Sequence, residues 1–113
     1  MERQSQAAIC KALSYPGVLP TDCWWTAIPG GDRAATLTPG YRPGTTDLVF
    51  MWRGKTAWIE LKREGGGRVS KEQKDCHELI ERAGGHAYIA RTLAEVVAIL
   101  KEDLRMPVRL RVQ

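Results

Sequence analysis

The sequence has few cysteines, only one phenylalanine, and no apolar run near the roughly 18 residues a membrane span requires. Cys10, Cys23 and Cys76 are odd in number and widely spaced, which excludes a disulfide-rich secreted scaffold. No C-x-x-C pair exists, and the adjacent Cys76 and His77 lack the i, i+4 spacing of helical metal ligands, so a structural zinc site is not expected. Small buried thiols in a reducing cytoplasm are the better reading. Internal repeats, low-complexity blocks and linkers are absent. The polar start, Met1-Glu2-Arg3-Gln4-Ser5-Gln6, does not read as a signal peptide. What is present is a chain of 113 residues, 43% apolar and 27% charged, the size of one globular domain spanning 1–113. Seventeen Lys and Arg against thirteen Asp and Glu give +4, a mild excess compatible with a polyanionic partner.

Along the chain, Glu2, Gln6, Ile9 and Leu13 fall on one helical stripe, ended by Tyr15-Pro16-Gly17. Cys23 to Ile28 reads as a strand, and 31–44 as a long loop rich in Gly, Pro and Thr. Thr46 to Trp52 and Lys55 to Arg63 are β-rich runs separated by Arg53-Gly54, a hairpin signal. After Gly65-Gly66-Gly67, Ser70 opens a helix with Cys76, Ile80 and Ala83 on one stripe, stopped by Gly84-Gly85. Tyr88-Ile89-Ala90 is a short strand. Thr92 and Glu95 form a capping box for a last helix to about Leu104, and Val108 to Val112 alternate as a possible edge strand. The order α-β-β-β-α-β-α-(β) predicts an α/β domain with a small mixed sheet flanked by helices.

A two-residue loop at Arg53-Gly54 pairs Trp52 with Lys55 and carries Asp47 opposite Glu60, with Cβ atoms about 4.5–5.5 Å apart. Alternation places Lys62 on the same face as Glu60. Opposed like charges are destabilising, so a positive group belongs between them; two hard carboxylates with open positions suit Mg²⁺ or Mn²⁺. A neighbouring lysine can orient or deprotonate water and offset charge on a phosphate. Glu-x-Lys on a strand is often a solvated charge ladder. Here Leu48, Phe50, Trp52, Ala57, Ile59 and Leu61 make one apolar face, while Val49, Met51 and Trp58 stand among the charges on the other. Covered on both faces, the acids need partners.

Other residues have two readings. Glu2 points toward the sheet if its helix packs there, or is a solvated terminal acid favourable to the helix dipole. Gln73 completes a capping box with Ser70, yet lies on the inward stripe and can reach the acids. Arg33, Arg42, Arg63, Arg68, Lys71 and Lys74 are loop charges or grips on a phosphate backbone. Trp24 and Trp25 face opposite ways, so at most one is a platform for base stacking.

Pro43-Gly44-Thr45-Thr46-Asp47-Leu48, Ile59-Glu60-Leu61-Lys62 and Gly67-Arg68-Val69-Ser70-Lys71-Glu72-Gln73 together resemble the virus-type replication-repair nuclease (VRR-NUC) domain of the PD-(D/E)XK nuclease superfamily. Glu2 with Gln6, Pro29-Gly30-Gly31-Asp32-Arg33 and Ala83-Gly84-Gly85 are similar too, so the resemblance runs over about residues 2 to 100. Thr46 departs from it, standing where the family often has proline. The resemblance implies a restriction-endonuclease-like core and metal-dependent hydrolysis of DNA phosphodiesters with Mg²⁺ or Mn²⁺ and no organic cofactor. It implies that Asp47, Glu60 and the Leu61 main-chain carbonyl hold metal, that Lys62 positions or activates water, that Glu2 is a helix-borne acid and a further candidate metal ligand, and that Gln73 assists. Small phage members of this kind work as cytoplasmic homodimers, in repair, on four-way DNA (Holliday) junctions. The alternatives are another activity of the superfamily, such as flap, nicking or exonuclease cleavage, or a non-catalytic DNA-binding module.

Overall fold

In the computed structural model, which describes residues 5–29, 39–63 and 65–110, Arg53 and Gly54 both take positive φ, 50° and 81°. Positive φ at both loop positions defines a type I′ turn, whose twist matches that of the flanking strands. The turn joins β2 (Leu48–Trp52) to β3 (Lys55–Leu61), with Trp52 opposite Lys55 and Leu48 opposite Ile59, the predicted register. The Arg53 guanidinium lies 4.5 Å from the Trp52 ring centroid and 3.4 Å from Asp22, while the Trp52 indole N–H donates to Asp22 at 2.8 Å.

β1 (Trp24–Ala27) pairs antiparallel with β2, and β4 (Ala87–Ala90) pairs parallel with β3, giving a mixed sheet of order β1-β2-β3-β4. Helices α1 (Gln6–Leu13), α2 (Lys71–Arg82) and α3 (Leu93–Glu102) complete the order α-β-β-β-α-β-α. The core lies on one face of the sheet. There Leu48, Phe50, Trp52, Ala57 and Ile59 pack with Ile9 and Leu13 of α1 and with Val96, Val97 and Leu100 of α3. Trp25 stacks on Phe50, with ring centroids 5.4 Å apart. Each fully buried aliphatic or aromatic side chain contributes about 1.5–3 kcal/mol. Helix α2 lies on the opposite face and buries no residue completely; Gln73, Cys76, His77 and Ile80 form its half-buried inner stripe.

Three expectations need correction. Ser5, extended at φ −84° and ψ 161°, caps α1 through its side chain, so the helix starts at Gln6, and of the stripe only Ile9 and Leu13 are buried. Gln6 itself is exposed, and Glu2 lies outside the described residues. The stretch 105–110 forms no strand: Arg105 at φ 60° and Pro107 turn the chain back, and Arg109 N–H donates to the Val18 carbonyl at 2.8 Å. Val108 is nonetheless buried, so alternation there reflects packing of an irregular tail. At α3, Thr92 accepts from Glu95 N–H as expected, but the Glu95 carboxylate accepts from Arg91 N–H instead of completing the box at Thr92.

Candidate active site

Glu60 points from β3 toward α2 and is only 4% exposed. The hairpin sets Asp47 beside it: Asp47 N–H donates to the Ile59 carbonyl at 3.1 Å, and Asp47 Oδ2 accepts from Leu61 N–H at 2.7 Å. Strand alternation therefore places the two acids together, as the register predicts. Burial first, then the hydrogen bond and the charge of Asp47, push the Glu60 carboxyl up to about 8; Lys62 opposes the rise.

Lys62 Nζ stands 4.0 Å from Glu60 Oε2 and donates to Gln73 Oε1 at 2.7 Å. Gln73 Oε1 also accepts from Ser70 N–H at 3.0 Å, closing the capping box, and Gln73 Nε2 donates to Glu60 Oε2 at 3.0 Å. Both readings of Gln73 thus hold at once. Two donors converge on its oxygen and one acceptor on its nitrogen, so an inverted amide would set donor against donor. Behind Lys62, Gly67 at φ +83° lies against the stem of that side chain. Arg91 Nη1 donates to the Arg63 and Gly66 carbonyls at 3.1 and 2.9 Å, tying this turn to the end of β4.

His77, one turn after Gln73, was not singled out by the sequence reading. Its Nε2 lies 3.7 Å from Glu60 Oε1, and both atoms are buried without a hydrogen-bond partner among the described residues. The signal was its i+4 spacing from Gln73, which puts it on the stripe facing the acids. Burial and the charge of Lys62 hold the imidazole below its ordinary value, so it is neutral at pH 7.

The loop before Asp47 is pinned to α2. Gly44 has φ +84°, and a Cβ there would strike the Glu72 carbonyl and come within 2.7 Å of Gln73 N. Thr46 is buried, its hydroxyl donating to the Leu48 carbonyl at 3.3 Å. Gly44→Ala is expected to cost about 1–3 kcal/mol through strain and overpacking and to disturb Gln73. Thermal melting and cleavage rate measured on one preparation check this; an unchanged melting temperature would refute the contact.

Arg42, Arg63 and Arg68 are exposed, Lys71 pairs with Asp75 at 3.0 Å, and Arg33 lies outside the described residues. Clefts of about 300 Å³ run between the 40–45 loop, Trp58 and the inner stripe of α2. Trp25 belongs to the core face, while Trp24 and its partner Met51 are exposed on the face that carries Asp47 and Glu60. Among the described residues no three acid, imidazole or thiol side chains form a ready-made metal cage, and no helix is long and apolar enough to cross a membrane.

No protein-family model and no curated protein matches the sequence. The structure is similar to that of a solved VRR_NUC domain protein, with a TM-score of 0.61 and 22% identity, covering 73% of this chain and 68% of the other. Sheet order, flanking helices and that likeness agree: the chain has the fold of a VRR-NUC domain.

Proposed function

We propose that the chain is a single-domain, metal-dependent endonuclease that hydrolyses DNA phosphodiesters, with Asp47, Glu60, Lys62 and Gln73 as its reacting cluster. The observation that carries this reading is the continuous chain from Asp47 to Glu60, Gln73 and Lys62, half-buried around a buried Glu60 where sheet meets α2. A solvated charge ladder would leave Glu60 exposed. The donor set fits a hard dication: two carboxylates and a main-chain carbonyl suit Mg²⁺ or Mn²⁺, which keep several waters. Glu60 Oε1, buried without a hydrogen-bond partner, provides an open ligand position.

When bound, such an ion supplies charge opposite the phosphate and acidifies the attacking water. The protein's own part is organisation. Asp47 and Glu60 would hold the ion, with Leu61 offering its carbonyl, while Leu61 N–H fixes Asp47. Lys62 Nζ, aimed by Gln73, orients the water and offsets charge developing on the phosphate. Arg42, Arg63 and Arg68 are exposed to grip flanking phosphates. Glu2 and Arg33 are proposed helpers from the resemblance alone. Four-way junctions are the proposed substrate, and a homodimer would give two symmetric incisions.

The test is a time course on end-labelled junction, flap and linear duplex with Mg²⁺, Mn²⁺ or EDTA. Paired nicks near the junction, lost in EDTA, are expected. Cleavage of flap or linear duplex alone would replace the junction assignment with another nuclease activity. Tight binding without cutting would replace the enzyme by a DNA-binding module.

A further inference from the structure

The proposed cluster leaves two buried polar atoms unexplained. Glu60 Oε1 and His77 Nε2 face each other at 3.7 Å, both out of contact with solvent and with no hydrogen-bond partner among the described residues. Such atoms are costly, and each requires an explanation. The separation is too long for a direct hydrogen bond. It is short enough for one small ion: two ligand atoms at about 2.1 Å from a common dication lie no farther than about 4.2 Å apart. Glu60 Oε2 accepts from Gln73 and faces Lys62, so Oε1 is the oxygen turned toward His77. His77 is carried by the same helical face as Gln73, whose capping box fixes the start of α2.

We propose that His77 Nε2 is a nitrogen ligand to a dication held by Glu60, making the site a mixed nitrogen and oxygen one that takes Mn²⁺ in preference to Mg²⁺. The inference rests on the metal-dependent reading above and deepens it. Imidazole favours first-row transition ions, whereas Mg²⁺ prefers oxygen ligands alone. A neutral imidazole offers the needed lone pair.

The experiment is pulsed electron paramagnetic resonance of Mn²⁺ added to the full chain, with isothermal titration of Mn²⁺ and Mg²⁺ alongside. Only two histidines are present, His77 and His86. Imidazole nitrogen coupling to Mn²⁺ is expected in the wild type, changed by ¹⁵N-histidine labelling and retained in His86→Gln. His77→Gln is expected to abolish that coupling and to weaken Mn²⁺ binding roughly tenfold while moving Mg²⁺ little. The wild-type spectrum stands even if His77→Gln folds poorly. Mn²⁺ bound without nitrogen coupling would overturn the role of His77 and leave the carboxylate site standing, with a bridging water explaining the two atoms. No binding of either ion would overturn both readings.

Discussion

Asp47→Ala, Glu60→Ala and Lys62→Ala are each expected to slow DNA cleavage by about a thousandfold or more while leaving junction binding within a fewfold of wild type. The expected loss is large because, on the proposed reading, each group acts on charge that develops during the reaction. Glu60 is only 4% exposed, and the Lys62 side chain 13%. Binding is expected to survive because the exposed arginines are the residues proposed to meet phosphates. Gln73→Ala should cost less, about ten- to a hundredfold, because it removes the group that aims Lys62 and leaves Lys62 in place. Single-turnover rates with saturating enzyme, beside filter-binding affinities and melting temperatures, separate these effects. Full activity in Lys62→Ala would remove lysine from the chemistry.

Metal-free protein is expected to lose stability as pH rises from about 6.5 to 8. The folded protein holds the Glu60 proton up to about 8, whereas the unfolded chain releases it near 4.5. Between those values the folded state binds more protons, so stability falls with increasing pH. His77 has the opposite sign, since its folded value lies below 6.5 and the unfolded chain then binds the extra proton. Its influence ends above that pH, which leaves the Glu60 effect clearest from 6.5 to 8. There the fall is on the order of 2 kcal/mol, or roughly 5 °C or more in melting temperature. Glu60→Gln should flatten the slope in EDTA. A wild-type slope unchanged by that substitution would contradict the charged group assigned to it. Mn²⁺ is expected to restore stability at pH 8, because it binds the folded state and favours the ionised carboxylate.

The hairpin could be read because two local facts fix it: Arg53-Gly54 sets the turn, and period-2 alternation then determines every opposed pair up to Leu48 and Ile59. The neighbourhood of Asp47 and Glu60 follows from that arithmetic, and the opposite facing of Trp24 and Trp25 likewise. The end of the chain could not be read so easily. Val108 alternates and is buried, but the backbone partner of this stretch is Val18, which accepts from Arg109 N–H; it lies far off in sequence, and no local pattern announces such a pairing. His77 escaped because adjacency to Cys76 was weighed, while the informative spacing was to Gln73. Gln73 itself is a case where cap and site looked like alternatives, and geometry lets one amide serve both.

That shared amide makes the first turn of α2 and the alignment of Lys62 one cooperative unit. When Ser70 and Gln73 fray, Lys62 loses its acceptor and Glu60 its donor in the same opening event. Amide hydrogen exchange at the start of α2 is therefore expected to report the fraction of molecules in which the proposed cluster is assembled. Helix ends generally open at lower free energy than core strands, so the proposed activity is expected to fall on heating before the sheet melts. A phosphate arriving at Lys62 would in turn slow exchange at Gln73 N–H, the backbone donor that caps the helix on Ser70.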